Sequence, residues 1–328
     1  MPNPTVSSVH VDSLLTDISV AFVQSSTNYV ATRVFPVVPV EKKTDIIPQL
    51  SRADFLRSEL TGRAPGSPYN RIGYRTDNTL TYACQEYGGE HAIDDQERAN
   101  ESGSYNADTD TAIFLTQQAL IKLEKDWSSV FFSTGVWTGS SDGGDLVSGT
   151  DFTAWSNAAS TPIEDIHDAN LRIQRSSGFL ANKLVVGLQS WYDLKNHPDI
   201  VDRYKHTSSE SITTEMVARL LDLDEVLVTS AVENTAHEGV AVSASHINTA
   251  DRAVLVYAAP NPGLRQPSGG YTFGWNRLVP FGANGGMVTE RYRDDSINSD
   301  IIRVRGAWAN KVINSFLGAA FLNCSTKI

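Results

Sequence analysis

Cysteine is scarce in this sequence, and its two cysteines are far apart. The 328 residues contain only Cys84 and Cys324, and neither belongs to a CxxC pattern. Two thiols cannot build the disulfide framework of a small secreted protein. We therefore expect two reduced thiols in a protein that is made in the cytoplasm.

Positive charge is also in short supply. Lys and Arg number 27 against 38 Asp and Glu, the formal net charge is −11, and no basic run is longer than Lys42-Lys43. Proteins that grip nucleic acid use clusters of Lys and Arg, which displace counterions from the phosphates. A dedicated DNA- or RNA-binding surface is therefore not expected. Charged residues make up only 20% of the chain, below the roughly 25% of an average soluble protein, as expected where partners cover the surface.

Long hydrophobic runs are missing as well. The most apolar window, residues 312–322, contains Asn314 and Ser315 and is too short to cross a hydrocarbon layer of about 30 Å. The opening residues lack the basic stretch and apolar core of a signal peptide. We therefore expect neither an export signal nor association with a membrane.

The most unusual feature that is present is an apolar segment with the sequence VFPVVPV, residues 34–40. Two prolines in seven residues exclude both a helix and a central strand, so the segment is predicted to be extended. Its side chains need an apolar surface, and we expect an arm that lies over a neighbouring molecule. Phe35 and Val38 are the candidate inter-subunit contacts in it. A short helix is predicted for residues 12–24.

Residues 44–92 are predicted to form a long two-stranded excursion. Strand-like stretches at Ile46-Ile47 and at residues 78–84 flank an octet of turn-forming residues, 61–68. An isolated hairpin is only marginally stable in water. This hairpin is therefore also expected to need a partner.

The excursion is rich in arginine, and no lysine occurs between Lys43 and Lys122. Because arginine makes bidentate contacts with carboxylates at interfaces, we consider the arginines as candidate inter-subunit contacts, with acidic residues of an adjacent copy as partners. The arginines are Arg52, Arg57, Arg63, Arg71 and Arg75, and the acidic residues are Asp94, Asp95 and Glu97. An ordinary charged loop is an equally good interpretation.

The strongest helical pattern covers residues 107–134. Its apolar stripe consists of Leu120, Leu123, Trp127, Val130 and Phe131. Charged residues, Glu124 among them, are expected outside the stripe. At 1.5 Å per residue this helix would be roughly 40 Å long, which is more than a small domain needs.

The rest of the chain alternates between helices and strands. A second long helix is predicted to begin after Thr161, because Pro162 and Glu164 complete a helix-start pattern. Strands are predicted at 183–188, 225–229, 253–258, 301–304 and 311–321, and helices at 189–195 and 214–221. This order predicts a mixed α/β body with a sheet core.

Motifs for catalysis or cofactor binding are weak. Residues 139–143, GSSDG, match the GxSxG pattern of a serine hydrolase, but that pattern requires a strand before the serine and a helix after it. A hydrolase that uses Ser141 is kept as an alternative from a different class. His237-Glu238 lacks the second histidine of an HExxH zinc site, and neither a Walker loop nor GxGxxG occurs. We therefore expect no catalytic residue, no metal and no cofactor.

Six stretches then follow one another in a recognisable order. They are VFPVVPV (34–40), GRAPG (62–66), EYGGEHAIDDQER (86–98), NKLVVGLQSW (182–191), HPDI (197–200) and PSGGYTFGW (267–275). In this succession the chain resembles the major capsid proteins of tailed bacteriophages, which have the HK97 fold. The resemblance covers most of the chain.

The resemblance implies an α+β fold with five parts. These are an N-terminal arm (1–46), an extended E-loop hairpin region (47–92), a P-domain (93–178) with a long spine helix at about 107–134, a mixed α/β A-domain (179–300), and C-terminal strands (301–328) that return to the P-domain.

The resemblance also implies a function. Such a chain is a non-enzymatic subunit that self-assembles into hexamers and pentamers of an icosahedral head around double-stranded DNA, without sequence-specific binding. The implied partners are further copies, a separate scaffolding protein, a portal and a decoration protein, with assembly in the host cytoplasm. An encapsulin-like compartment is the alternative within the same fold. Some members join subunits through a Lys–Asn bond from the E-loop, so the missing lysines predict a non-covalent shell.

Overall fold

The computed structural model describes residues 24–100, 106–139, 144–204, 212–263, 266–279 and 287–327. The helix predicted for residues 12–24 lies outside these ranges except for Gln24, and Ser141 also lies outside them. The described residues form eight α-helices: α1 (Ala31–Val34), α2 (Arg52–Phe55), α3 (Asp95–Ala99), α4 (Ala107–Phe131), α5 (Pro162–Ser177), α6 (Leu188–Lys195), α7 (Pro198–Tyr204) and α8 (Thr214–Leu220).

Sixteen strands accompany the helices in the same part of the chain. They are β1 (Val37–Val40), β2 (Thr44–Ile46), β3 (Gln49–Leu50), β4 (Thr76–Asp77), β5 (Thr81–Ala83), β6 (Gln85–Asp94), β7 (Leu146–Val147), β8 (Lys183–Gly187), β9 (Glu225–Thr229), β10 (Val232–Asn234), β11 (Ala244–His246), β12 (Ala253–Val256), β13 (Gly270–Trp275), β14 (Met287–Asp294), β15 (Ser299–Val312) and β16 (Gly318–Leu322).

The first large sheet is built around the 14-residue strand β15. β6 runs antiparallel along one edge of β15, from Asp94 opposite Ser299 to Gln85 opposite Trp308. β14 and then β13 pair with its other edge, and β1 adds to β13 in parallel. β1 is thus an edge strand, where Pro39 costs no hydrogen bond of the ladder.

The long helix α4 packs across β15 and β6 and ends three residues before the predicted position. Asn106 caps its start, since the side-chain oxygen accepts a hydrogen bond from the Thr109 N–H at 3.1 Å. At its end the Trp137 indole N–H donates to the Phe131 carbonyl oxygen at 2.8 Å. This bond satisfies one of the carbonyls that a helix leaves without a partner at its C-terminus.

The apolar stripe of α4 is confirmed in the structure. Leu123, Trp127 and Phe131 are buried, and Leu120 and Val130 are half-buried. Glu124 lies outside the stripe as expected, but its side chain is nevertheless buried, with 0% exposed. Helical periodicity places Glu124 beside the stripe, and only the neighbouring segments decide whether that position meets solvent.

The second large sheet has the strand order β7-β16-β12-β8-β9. Helix α5 covers it with Ile163, Ile166 and Ile173, all of which are buried. α5 begins after Thr161 as predicted, although the Thr161 hydroxyl makes no capping bond there. The predicted strands at 183–188, 225–229 and 253–258 correspond to β8, β9 and β12, with ends within two residues.

The strand predicted for residues 311–321 is wrong as a single element. β15 ends at Val312, a 3₁₀ turn follows at Ser315–Leu317, and β16 then begins at Gly318. β16 pairs with β12 in the second sheet, so the chain has to leave one sheet and enter the other between these strands. Periodicity within a segment carries no signal for such a change of sheet.

The extended segment 34–40 lies on its own chain. The Phe35 side chain is 1% exposed, and its ring centroid is 4.6 Å from that of Phe131. Val38 is half-buried and packs in a cluster with Tyr82 and Phe273. The prediction that Phe35 lies on a neighbouring molecule is therefore wrong, because the end of α4 already provides its apolar surface.

Candidate assembly surfaces

The two-stranded excursion predicted for residues 44–92 is formed by residues 44–83, whereas residues 85–92 belong to β6 of the first sheet. β2 pairs with β5 and β3 with β4, both antiparallel. At the base the Tyr82 ring stacks on Phe273 with centroids 4.6 Å apart, and the Cys84 N–H donates to the Lys43 carbonyl oxygen at 2.9 Å. Burial raises the pKa of the Cys84 thiol to about 11, so this thiol stays protonated at neutral pH.

Beyond the short strands, side chains connect the two limbs of the excursion. The Asp54 carboxylate accepts hydrogen bonds from the Arg75 backbone N–H, Nε and Nη2 at 2.9, 3.1 and 3.0 Å. These bonds favour the ionised carboxylate and lower its pKa to about 2. The rings of Phe55 and Tyr74 lie beside this pair with centroids 5.9 Å apart. These contacts join the two limbs within one chain.

The surface of the excursion is unusually apolar. Of the 19 large hydrophobic side chains that are exposed among the described residues, eight belong to it. They are Ile46, Leu50, Phe55, Leu56, Leu60, Tyr69, Ile72 and Tyr74. Leu60 is 85% exposed, which leaves almost the whole side chain in water. Concentrated apolar side chains at a protein surface are typical of interaction sites.

The candidate arginines mostly bind within the chain. Arg57 donates to Glu59 at 2.8 Å, Arg63 donates to the Ser67 carbonyl oxygen at 2.6 Å, and Arg75 pairs with Asp54. Arg52 donates to the Ser176 carbonyl oxygen at 2.8 Å. Arg71 is exposed and has no polar partner in the part of the chain that is described. Pairing of these arginines with a second copy remains a prediction.

The candidate acidic residues lie at the start of α3. Asp94 caps this helix by accepting a hydrogen bond from the Gln96 N–H at 3.4 Å. Asp95 forms a bidentate pair with Arg293 at 2.6 and 2.7 Å, and Glu97 is exposed. Any contact of Asp95 with a second copy would have to replace or extend the pair with Arg293.

The N-terminal segment is held by Glu124, a residue that the sequence pattern placed outside the apolar stripe of α4. Glu124 Oε2 accepts hydrogen bonds from the Val30 and Ala31 N–H groups at 3.0 and 2.9 Å, at the start of α1. Glu124 Oε1 accepts a bond from Asn248 Nδ2 at 2.7 Å. Burial raises the pKa of this carboxyl, and the three donors oppose that effect. One acceptor thus connects α1, α4 and the loop before β12.

A second attachment lies at Gln24. Its side-chain amide donates to the Val232 carbonyl oxygen at 2.5 Å and accepts from the Val232 N–H at 2.9 Å. Gln24 therefore pairs with β10 as a neighbouring strand would. A polar residue with its partner 208 positions away leaves no local signal in the sequence.

Comparisons with known proteins agree on one kind of protein. No protein-family model matches the chain. The major capsid protein of Burkholderia phage BcepMu is 23% identical over 223 residues, which are 68% of this chain and 69% of that protein. A crystal structure of a phage-related protein from Bordetella bronchiseptica RB50 aligns with a TM-score of 0.68 at 22% identity, over 92% of this chain and 94% of that one.

Two phage capsids give the same result. The capsid structure of cyanophage P-SCSP1u has a TM-score of 0.63 at 10% identity, covering 93% of this chain and 90% of that one. The mature capsid of bacteriophage PhiM1 has a TM-score of 0.60 at 14% identity, covering 95% and 90%. The chain has the HK97-like fold of phage capsid proteins. The α+β fold implied by the resemblance is thereby confirmed.

Ser160 and His197 form a serine–histidine pair of the kind that hydrolases use, but the histidine proton lies on the nitrogen that faces the serine. Ser160 Oγ lies 3.0 Å from His197 Nε2. The Asp199 N–H donates to His197 Nδ1 at 3.2 Å, so Nδ1 is unprotonated and Nε2 carries the proton. His197 therefore cannot take a proton from Ser160, and the pair is structural.

No group of three His, Cys, Asp or Glu side chains suited to a metal ion occurs in the described ranges. None of the helices described is long and apolar enough to cross a membrane.

Proposed function

We propose that this chain is a major capsid protein, the structural subunit of a phage head. In this proposal copies assemble into hexamers and pentamers of an icosahedral shell around double-stranded DNA, and the chain has no catalytic activity. The fold and the name of the BcepMu relative support the proposal. The net charge of −11 also fits a wall that encloses DNA without binding it tightly.

The apolar surface of the excursion is the observation that carries the proposal. Burying a Leu or Phe side chain completely contributes about 1.5–3 kcal/mol relative to exposure. The eight exposed side chains could therefore supply on the order of 10 kcal/mol before the costs of association. Each copy would both offer its excursion and receive one, so modest contacts add up over a closed shell.

The parts of the HK97 fold give each region a role in this proposal. Residues 1–46 would be the N-terminal arm, 47–92 the E-loop, 93–178 the P-domain with α4 as its spine helix, 179–300 the A-domain, and 301–328 the returning strands. The first sheet contains β13 and β14 together with β15, and the second contains β16. If each sheet were taken as one domain, segments of the two domains would therefore alternate along the sequence.

Other proteins would complete the particle. We infer a separate scaffolding protein, a portal and a decoration protein as partners, with assembly in the host cytoplasm. In this proposal the chain makes no sequence-specific contact with DNA.

The test is electron microscopy of the purified chain, with and without co-expressed phage proteins, combined with measurement of bound nucleic acid. Closed shells that package double-stranded DNA with the phage machinery are expected. Closed shells that enclose a protein cargo and no DNA would support the encapsulin-like alternative. A chain that stays monomeric under all these conditions would contradict both.

A matched pair of variants tests the excursion itself. Phe55→Ser combined with Leu60→Ser removes two exposed apolar side chains and should reduce the yield of shells at least tenfold, the effect of about 1.4 kcal/mol. Ser58→Ala changes an exposed residue between them and should leave the yield unchanged. Equal yields for the two variants would show that the apolar surface does not drive assembly.

A further inference from the structure

The excursion is attached to the body by few contacts, and the outermost of them involves Arg52. Closer to the base, Gln49 Nε2 donates to the Ile313 carbonyl oxygen at 2.7 Å. Arg52 Nη1 donates to the Ser176 carbonyl oxygen at 2.8 Å. Among the described residues, no hydrogen bond, ion pair or ring contact joins residues 53–75 to the body. Arg52 is therefore the outermost described residue with a polar or ring contact to the body.

The Arg52 guanidinium occupies a site with two complementary components. Its central carbon lies 4.3 Å from the centroid of the Phe316 ring, so the cation rests on the ring face. Ser176 lies in the last turn of α5, where carbonyl oxygens lack partners within the helix and attract positive charge. The Gly178 N–H caps this helix on the Gln174 carbonyl oxygen, which leaves the Ser176 carbonyl oxygen for Arg52.

The two components of this site are themselves connected. Ser176 Oγ donates to the Phe316 carbonyl oxygen at 3.3 Å and to the Ile173 carbonyl oxygen at 2.9 Å. Phe316 belongs to the 3₁₀ turn between β15 and β16. The site thus combines the end of α5 with the crossing between the two sheets, which are parts of the buried body. A planar guanidinium can stack and donate at the same time, whereas a lysine ammonium cannot do both equally well.

We propose that Arg52 is the positioning residue that sets the angle at which the excursion leaves the body. Beyond it the two limbs are joined to each other by Asp54 and Arg75, so a change at Arg52 is expected to reorient both limbs together. Gln49 and Arg52 attach the excursion to the body at two different distances from its base. Two such points are the minimum that fixes the direction of the excursion relative to the body. This step rests on the proposed function: the angle determines where the apolar surface meets a second copy, so a wider spread of angles should widen the spread of shell diameters.

The test measures the angle within one chain. Spin labels are placed at Arg71→Cys on the excursion and Glu164→Cys on α5, both exposed positions, and labelled chains are diluted into unlabelled ones. The buried native thiols of Cys84 and Cys324 do not compete for the label. Arg52→Ala should broaden the distance distribution roughly twofold, because a segment freed from one attachment samples more orientations. Arg52→Lys should give an intermediate width.

Arg63→Ala is the matched control. It removes the same charge from the excursion, but the contacts of Arg63 go to Ser67 and Tyr69 within the excursion. Its distribution should match that of the parent chain. An Arg52→Ala distribution that also matches the parent would overturn the proposal.

Particle images separate this inference from the proposed function. If the chain forms shells, Arg52→Ala should widen the distribution of their diameters, whereas Arg63→Ala should not. If no variant and no parent chain assembles, the proposed function fails. The distances within single chains still decide the role of Arg52 in that case.

Discussion

At the scale of single residues, the role of Glu124 is not predicted by the residues near it in the sequence. It lies among helix-forming residues of α4, yet it accepts bonds from residues 93 and 94 positions earlier and 124 positions later. Its burial would be costly without those donors. The donors in turn would be left without acceptors if Glu124 were apolar. The carboxylate and its three partners therefore stabilise the fold only as a group.

We expect Glu124→Leu to lower the free energy of unfolding by about 2–5 kcal/mol, because buried donors lose their acceptor. Glu124→Gln should cost much less. Asn248 Oδ1 is buried without a partner among the described atoms, so a rotated Asn248 amide can accept from the new amide group. Urea denaturation of the two variants measures both values. Equal stability of Glu124→Leu and the parent would contradict this role.

Asp165 provides a test that depends on pH. Its carboxylate accepts a bond from the Trp155 indole N–H at 3.3 Å, and desolvation raises its pKa to about 6. The unfolded chain has the ordinary, lower pKa, so ionisation favours unfolding as the pH rises from about 4 to about 6. Above that window the charge destabilises the fold, and below it the group is neutral in both states.

Asp165→Asn should therefore raise the stability at pH 7 by about 1 kcal/mol, a value reduced for the partial exposure of the group. The difference from the parent should disappear near pH 4. Thermal unfolding of both proteins across this range measures the effect. Glu215→Gln, at an exposed position in the first turn of α8 and not among the charges that act on Asp165, is the control and should show no such pH-dependent gain.

At the scale of elements, Trp137 closely approaches β16 at the point where the chain passes from one sheet to the other. The Trp137 side chain is 0% exposed, and β16 begins at Gly318 directly against it. A Cβ atom on Gly318 would lie 2.4 Å from Trp137 Cε3. The chain passes from β15 to β16 at this point, so the contact helps to fix one sheet against the other.

We expect Gly318→Ala to destabilise the fold by about 1–3 kcal/mol, because the buried indole has to move. Gly62→Ala is the control, since a Cβ atom there meets nothing within 4 Å. Chemical denaturation of both variants compares the two positions. A Gly318→Ala protein as stable as the Gly62→Ala protein would show that the indole moves without cost.

At the scale of the whole molecule, the body is complete within one chain and the excursion is not. The body encloses large buried clusters under both sheets, whereas the excursion exposes most of its apolar side chains. Assembly is therefore expected to bury the excursion while leaving the body nearly unchanged. Segment 34–40, which the sequence pattern assigned to assembly, belongs to the body.

The shell is expected to be held together without covalent bonds between subunits. No lysine occurs between Lys43 and Lys122, so the excursion carries no amine for a bond to a neighbouring side chain. Particles boiled in SDS should therefore run as one band of monomer mass on a gel. A ladder of multiples would contradict this expectation.

The sequence by itself determined the features that depend on neighbouring residues. The apolar stripe predicts α4, the proline-rich segment predicts an extended chain, and turn residues between strand-like stretches predict the excursion. These signals are local, since side-chain spacing and backbone restrictions act within a few residues. The order of the six motifs also led to the correct fold.

Only the tertiary structure decided which distant segments meet. It placed Phe35 under the end of α4, buried Glu124 beneath α1, and divided residues 299–322 between two sheets. It also brought Arg52 onto Ser176 and Phe316. The physical reason is that each of these contacts joins residues more than 90 positions apart or two strands in different sheets. Their energies depend on packing and desolvation in the folded chain, which no local pattern records.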